Sequence, residues 1–283
     1  MDHQFRSISR YHGSKERELF RKRFLEVKDS TFVGPGESPL KECVDIKVKN
    51  TTFSARYAGW LDTNITFEGC HLTRLCRAPL WYTKKLKMID CKMTSPKALR
   101  ECQDVEIKHC DFNGIETFWQ VDNFAIDDLI FKSYYPFLEC HHGKIKNLKM
   151  NGKYSFQHCS DIEIEDSQLD TKDAFWHSHD IVVKNCLVKG EYVAWFSKDL
   201  TFINCTFSGT QPFVSSHDLK FINCTFLEDA DLAFEDSTAS GSLIHLPKSF
   251  YNPKNISFTY EEGDADSVTT DKPSCHYDLK KAS

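Results

Sequence analysis

Apolar and polar residues alternate with a fixed long period along most of this chain. The segment Asp199–Phe207 returns 19 residues later as Asp218–Phe226, with one position changed. We number each repeat from the residue after this Asp and call that residue the anchor, at position 0. Steps of 19 residues, with two of 21, lead back to the anchors Leu219, Leu200, Ile181, Ile162, Gly143, Phe124, Val105, Leu86, Ile65, Ile46 and Leu25. Self-similarity at such a period is typical of a solenoid.

The pattern within one repeat predicts short strands and fixed turns. Positions 0 and +2 are apolar with polar residues between them, as in a half-buried strand, and position +7 is again apolar. Position +4 is mostly Asn, Asp or Gly and position −1 mostly Asp or Asn, which tolerate left-handed backbone and predict turns. Two or three strands per repeat, stacked at about 4.8 Å, make an all-β, parallel β-helix of about eleven coils of 19–21 residues.

The repeat also predicts the domain organisation. Residues 25–239 form the β-helix, and residues 1–24 form an N-terminal cap whose charged segment 14–24 is a short helix over the open end of the first coil. Residues 240–260 are expected to fold over the other end as a C-terminal cap. Residues 261–283, rich in Asp, Ser, Thr and Lys, are expected to be a flexible tail.

The twelve cysteines fall into the same register. Ten of them lie either three residues before an anchor or five residues after one, at positions shared with Ser, Thr and other side chains. Interchange of small, weakly polar residues is typical of a stacked interior position, so we expect buried free thiols. Cysteines in a column do not converge as metal ligands do, and no C-x-x-C spacing occurs, so no metal site is predicted.

Charge and apolar patterning disfavour several partners. The net charge of −5 with interleaved signs provides no basic stripe for nucleic acid or an anionic membrane. No apolar run approaches the roughly 20 residues of a membrane helix. The first residues lack an apolar secretory core, which makes a cytoplasmic location the expectation. No Gly-rich phosphate loop is present, and no cofactor is expected.

Six short motifs along the chain carry a resemblance to a known family. They are Ser38–Glu42, Pro79–Tyr82, Glu116–Trp119, Tyr154–Phe156, Asp173–Trp176 and Gly190–Trp195. Together they resemble the family called domain of unknown function 3737, from about Lys15 to about Phe250. That family is grouped with pectin-lyase-like proteins, so the resemblance implies a single-stranded right-handed parallel β-helix. It implies no activity.

Three outward-facing columns suggest a function. The Trp column, five residues before each anchor, holds all five tryptophans: Trp60, Trp81, Trp119, Trp176 and Trp195. The Glu/His column, four residues before each anchor, includes Glu101, Glu139, His158 and His177. The Tyr column, eight residues before each anchor, includes Tyr135, Tyr154, Asp173 and Tyr192. Aromatic faces edged by hydrogen-bonding groups suit sugar rings, so we predict a carbohydrate or glycoconjugate ligand along this face.

Other interpretations of the aromatic face stay open. The tryptophans could form a structural ladder that only covers the sheet. They could also form a protein interface, because Trp and Tyr favour interfaces, and an oligomer would then assemble through this face. A non-catalytic scaffold for protein–protein interaction is therefore the alternative function.

Two carboxylates form a candidate catalytic pair. Glu101 and Glu139 lie two coils apart in the Glu/His column, which separates their backbones by about 9.6 Å. This is near the upper end of the roughly 6.5–9.5 Å found between the carboxyl groups of inverting glycoside hydrolases. His158, one repeat after Glu139, could tune the proton affinity of that carboxylate. The prediction is hydrolase- or lyase-type action on a polysaccharide, and the alternative is that both are ordinary solvated carboxylates.

Overall fold

Strands are the regular elements of this protein. The computed structural model describes residues 4–282 and has no helix within that range. Up to Gly143 the strands are β1 (Arg6–Ser9), β2 (His12–Gly13), β3 (Arg23–Lys28), β4 (Thr31–Phe32), β5 (Val44–Lys49), β6 (Thr52–Phe53), β7 (Thr63–Glu68), β8 (His71–Leu72), β9 (Lys84–Ile89), β10 (Lys92–Met93), β11 (Gln103–Asn113) and β12 (Asp122–Tyr134).

The rest of the chain continues with thirteen further strands. They are β13 (His141–Lys153), β14 (Ser160–Glu165), β15 (Gln168–Lys172), β16 (His179–Lys184), β17 (Leu187–Lys189), β18 (Lys198–Ile203), β19 (Thr206–Ser208), β20 (Leu219–Phe226), β21 (Thr238–His245), β22 (Phe250–Tyr251), β23 (Asn255–Glu262), β24 (Val268–Thr269) and β25 (His276–Lys281). The chain divides into two compact units, the first up to Gly143 and the second from Lys144.

The first unit is a parallel β-solenoid in the predicted register. One ladder runs β1–β3–β5–β7–β9–β11–β12 and pairs the anchors Leu25, Ile46, Ile65, Leu86, Val105 and Phe124 in succession. A second ladder runs β2–β4–β6–β8–β10–β11–β12 and aligns the apolar residues at position +7, such as Phe32 with Phe53. The paired anchors and the position +7 residues are buried, so the core is a stack of like side chains.

The second unit repeats this architecture. Its main ladder runs β14–β16–β18–β20–β21–β23–β25, all parallel. A second ladder runs β13–β15–β17–β19–β20, and β22 pairs with β24. Phenylalanine fills the interior, as the stacked rings of Phe213 and Phe234 at 5.2 Å illustrate. The two units together make about fifteen turns.

Two sequence predictions about the architecture are therefore wrong. The chain has about fifteen coils instead of eleven, and segment 14–24 is not a capping helix. β1 pairs with β3 as a further coil, with Arg6 opposite Leu25, so Leu19 points inward at the corner of that coil. The polar Arg6 at the anchor position hid this coil from the apolar pattern.

The ladder also continues beyond residue 239. Segments 240–260 and 261–283, expected to be a cap and a flexible tail, contribute strands β21 to β25 to the parallel stack. The aligned residues Leu219, Ala239, Ile256 and Tyr277 are spaced irregularly, which takes these coils out of the 19-residue register. The right-handed winding implied by the family resemblance stays a prediction.

Left-handed backbone recurs at fixed columns. The predicted turn positions −1 and +4 have positive φ, as at Asp45 and Asn50. Positions −8, −6 and −4 do so as well, as at Tyr82, and neither their residue types nor the pattern indicated it. The left-handed residue Leu61 donates its amide to the following coil, whereas the amides of Trp60 and of Gly59, which is also left-handed, donate to the preceding coil. Because both neighbouring coils supply acceptors, these amides are hydrogen-bonded despite a cost of about 1 kcal/mol per left-handed residue.

Candidate functional site

The three outward columns all lie on this corner of the coil. Residues of the Trp column pair in parallel along the ladder, as Arg100 does with Trp119 and Trp195 with Val214. Four of the tryptophans are half-buried, and Trp176 is exposed over 38% of its surface. Both flanking columns have left-handed backbone, but the side chains at position −6, such as Leu80 and Phe118, are buried, whereas those at position −4, such as Glu101 and His177, are exposed. The corner therefore carries an aromatic surface in each unit.

In the first unit the aromatic rings cover one another. The ring of Trp60 stacks on that of Trp81 at a centroid distance of 5.1 Å and meets Tyr57 edge-on at 5.1 Å. The guanidinium of Arg100 lies 5.0 Å from the ring of Trp81 and 3.9 Å from the ring of Trp119. This sequence of rings and one cation leaves the inner faces of the indoles occupied.

The indole N–H groups of this stack are also used within the protein. Trp81 Nε1 donates to the carbonyl of Lys97 at 2.5 Å, and Trp119 Nε1 donates to the carbonyl of Tyr135 at 2.6 Å. Arg100 is held from behind by Glu116, whose Oε2 accepts its Nη2–H at 2.8 Å. The rings of Trp81 and Trp119 are covered by neighbours and their indole N–H groups are hydrogen-bonded within the protein. This geometry is that of a structural ladder, one of the alternatives that the sequence analysis left open.

The carboxylates of the candidate catalytic pair lie on the surface of the first unit. Glu101 and Glu139 are both exposed, and Gln120 lies between them in the same column. Gln120 Nε2 donates to Glu139 Oε2 at 2.8 Å. Burial and the neighbouring Glu101 carboxylate raise the pKa of Tyr82, which hydrogen-bonds with Glu101. His158, the third member of the prediction, belongs to the second unit, where its ring stacks on His177.

In the second unit the Glu/His column forms an exposed ring ladder. The ring of His177 stacks on His158 at 5.3 Å and on Phe196 at 5.3 Å, with interplanar angles of 8° and 13°. Trp176 tilts against His177 at 5.2 Å, and Trp195 is parallel to Phe196 at 5.5 Å. Over residues 4–282, Trp176 and Trp195 make no direct ring contact with each other and are joined through His177 and Phe196. We call His158, His177 and Phe196 the ring ladder.

The Tyr column borders this ladder in the second unit. Tyr192 lies parallel to Trp195 at 5.6 Å, and the ammonium of Lys172 lies 5.4 Å from the Tyr192 ring. Partial burial raises the pKa of Asp173, which is half-exposed in the same column. Tyr154 is half-buried there, whereas Tyr135 in the first unit is 43% exposed. The column therefore supplies polar groups beside the rings.

The ring ladder ends at Phe196, and an open cavity begins there. The next residue in the Glu/His column is Ser215, whose side chain is too small to cover a phenyl ring. Phe196 is 47% exposed, and it lines a cavity of about 680 Å³ together with Ser215, His217, Asp236 and further polar residues. One face of the terminal ring is therefore available to a ligand.

The C-terminal segment forms the far wall of this cavity. Lys272 Nζ donates to both carboxylate oxygens of Asp236 at 2.8 Å, and this contact raises the pKa of Lys272. The amide of Asp271 donates to Asn252 Oδ1 at 2.9 Å, and the thiol of Cys275 lies 3.9 Å from the same oxygen. Sequence reasoning missed this wall. Carrying the Glu/His column past Ser215, to Asp236 and Asn252, could have indicated it.

The described part of the chain contains neither a cluster of metal ligands nor a membrane-spanning helix. Between residues 4 and 282, no three His, Cys, Asp or Glu side chains are grouped so that they could hold a metal ion. Over the same range, no helix has the length and apolarity of a membrane span. All twelve cysteines of this range are free, and eleven of them are buried, including the ten for which the column pattern predicted it.

The fold and the corner columns define a parallel β-solenoid with an aromatic edge. The family described as protein of unknown function (DUF3737) matches residues 6–278, and the chain belongs to this family. No curated protein matches the sequence.

Solved structures with a similar fold come from a bacteriophage. A double mutant of the tailspike protein of E. coli bacteriophage HK620 is similar with a TM-score of 0.41 and 8% identity, over 98% of this chain and 72% of that chain. A mutant of the same tailspike protein in complex with pentasaccharide has a TM-score of 0.38 and 9% identity, over 97% and 71% of the two chains. Fold likeness at this level does not transfer a function.

Proposed function

We propose that this protein binds a carbohydrate at the end of the ring ladder in its second unit. The observation that carries the proposal is the uncovered face of Phe196 at the mouth of the 680 Å³ cavity. An aromatic face offers the C–H side of a sugar ring a stacking surface. The volume lies in the range of about 300–1,000 Å³ that is usual for small-ligand sites.

Polar side chains around the ring suit the hydroxyl groups of a sugar. Ser215, Thr238 and Asn255 line the cavity beside Phe196. Thr238 Oγ1 accepts the amide of Asp218 at 2.7 Å, so its own O–H can donate to a ligand. A site with one apolar face and several hydrogen-bonding groups at its edge fixes the orientation of a hydroxylated ring.

This proposal is narrower than the prediction from the sequence. Arg100 covers the rings of Trp81 and Trp119 in the first unit, so we assign the ligand to the second unit. There His177 and Trp195 pack against Phe196, and Trp176 and Tyr192 pack against these two rings in turn. Hydrolase- or lyase-type action through Glu101, Glu139 and His158 stays a prediction. So do a protein-interaction scaffold and an oligomer formed through the aromatic face.

The cytoplasmic location also stays a proposal. The eleven buried free thiols favour it, because reducing compartments keep cysteines in the thiol form.

The test is binding to a glycan array followed by titration of each glycan that binds. Phe196→Ala should lower the affinity about tenfold, equivalent to about 1.4 kcal/mol, because the stacking surface is lost. Ile222→Ala is the matched control, since Ile222 is 45% exposed on β20 and lies outside the three columns. The melting temperatures of both variants should stay close to wild type. An array without bound glycans, or full affinity in Phe196→Ala, would contradict the proposal.

A further inference from the structure

The lining of the Phe196 cavity includes one lysine ammonium that is not paired with a carboxylate. Asp236 is the carboxylate among the residues that line it, and Lys272 neutralises that carboxylate through two hydrogen bonds of 2.8 Å. Lys254 lines the cavity as well and is exposed. Within residues 4–282 the ammonium of Lys254 has no ion pair or hydrogen bond. Its charge is therefore available to a ligand.

Two imidazoles add uncommitted hydrogen-bond donors to the same cavity. His217 and His276 line it from β-solenoid coils that are distant in sequence. In the part of the chain that the structure describes, neither side chain has a hydrogen-bond or ion-pair partner. A neutral imidazole carries one N–H donor and a protonated one carries two, so both residues can donate to an oxyanion.

Two other lysines of the second unit are paired with carboxylates. Lys172 and Lys184 are committed to Glu191 and Glu163. An unpaired ammonium with two unpaired imidazoles around one cavity is the arrangement that binds an anionic group, because charge-assisted hydrogen bonds to carboxylate or phosphate are the strongest of their kind.

We propose that the cavity recognises a sugar that carries an anionic group, either a carboxylate or a phosphate. The sugar ring lies against the open face of Phe196, and Lys254, His217 and His276 bind the anion. This inference rests on the proposed carbohydrate function and adds the class of ligand to it. A neutral sugar of the same size would use the aromatic face but leave the ammonium without a partner.

The test compares four probes that contain a sugar ring, an anionic group or both. Glucose, glucuronic acid, glucose 6-phosphate and inorganic phosphate are titrated into the full chain, and binding is followed by calorimetry and by the NMR signals of the His217 and His276 rings. Wild type should bind glucuronic acid or glucose 6-phosphate at least about tenfold more tightly than glucose, a preference of about 1.4 kcal/mol. The member of the pair that binds more tightly identifies the anion.

Variants locate the charge that makes this distinction. Lys254→Met should reduce the preference for the charged sugar to near unity while leaving glucose binding unchanged. Lys189→Met is the matched control, because Lys189 is an exposed lysine of the same unit at the end of β17, outside the cavity. It should keep the full preference. Equal preference in Lys254→Met and Lys189→Met would overturn the assignment.

The outcomes separate this inference from the proposed function. Equal affinity of wild type for glucose and the charged sugars would overturn the inference and leave the carbohydrate function standing. Inorganic phosphate binding as tightly as glucose 6-phosphate would also overturn it, because the ring would then contribute nothing. Absence of binding to every probe and to the glycan array would overturn both.

Discussion

At the scale of single residues, most positions three residues before an anchor hold a side chain that both accepts and donates a hydrogen bond. Ser178 Oγ accepts the amide of Cys159 at 3.0 Å and donates to the carbonyl of Phe156 at 2.5 Å. Ser216 Oγ likewise accepts the amide of Ser197 at 3.1 Å and donates to the carbonyl of Ala194 at 2.6 Å, both on the preceding coil. Ser, Thr and Cys all have this capacity, which explains why they interchange in the column and why its cysteines are buried thiols.

Val121 and Asp62 depart from this pattern, and Asp62 does so with a buried carboxyl group. Its Oδ1 accepts the amide of Cys43 at 2.7 Å, but its Oδ2 has no hydrogen-bond partner within residues 4–282. Thr83, at the same position one coil later, donates to the carbonyl of Gly59. A carboxylate can donate such a bond only when it is protonated, and burial raises the pKa of Asp62 to about 7.

This pKa predicts that the protein loses stability as the pH rises. The folded-state pKa lies above the unfolded value near 3.9, so the folded state holds one more proton between these values. The contribution is fully present below about pH 4 and is lost by about pH 7, at roughly 1.4 kcal/mol per pH unit.

Asp62→Ser should remove this slope and raise stability at pH 8. Urea unfolding from pH 4 to pH 8 measures it, with exposed Asp218→Ser as the control. Parallel pH profiles for wild type and Asp62→Ser would contradict the assignment.

At the scale of the structural element, the corner of the first unit is held by one cation. Arg100 contacts the rings of Trp81 and Trp119, and Glu116 and its ion pair with Lys97 at 3.1 Å fix the guanidinium. Its side chain is only 18% exposed, so these contacts are worth more than surface pairs.

Arg100→Met should therefore destabilise the protein by about 2 kcal/mol, because two cation–π contacts and an ion pair disappear while the volume is kept. The control is Arg56→Met, since Arg56 is 58% exposed and lies 3.5 Å from Glu37, and its change should stay within about 0.5 kcal/mol. Chemical unfolding of both variants gives the comparison. A loss for Arg100→Met no larger than the control would mean that the ladder does not stabilise the corner.

The elements were predictable from sequence where local pattern and tertiary position agree. The alternation around anchors such as Leu86 and Val105 indicated the strands, and Asn or Asp at positions −1 and +4 indicated two turns. The left-handed residues at positions −8, −6 and −4 were not predictable. Leu80 and Phe118 are poor turn formers, and stacking between coils overrides their local preference.

At the scale of the whole chain, the candidate site was only partly predictable for the same reason. Trp176, His177 and Trp195 follow from the 19-residue register. The cavity depends on Ser215, a small residue in an otherwise bulky column, and on a wall that the C-terminal coils supply. Irregular spacing hides those coils, so periodicity alone could not bring His276 next to Phe196.

Removal of the C-terminal coil should therefore affect ligand binding more than the stability of the fold. In a solenoid each coil contacts only its neighbours, so removing the last one costs one interface. The residues of β25 are almost all exposed, which makes that interface small. A chain ending at residue 262 lacks Lys272, Cys275 and His276 and with them the far wall of the cavity. We expect it to keep a β-type circular dichroism spectrum, to melt only a few degrees below the full chain, and to lose the preference for charged sugars.

The single substitution Lys272→Met is the control for this truncation, because it removes the ion pair between the C-terminal segment and Asp236 but keeps every strand. It should weaken binding of the charged sugars less than the truncation does, since His276 and Lys254 remain in place. Thermal melts followed by circular dichroism and titrations with glucuronic acid and glucose 6-phosphate give both readouts on the same samples. Global unfolding of the truncated chain would show that the last coil stabilises the whole fold and not only the adjacent coil. Unchanged binding would show that the C-terminal wall is not part of the site.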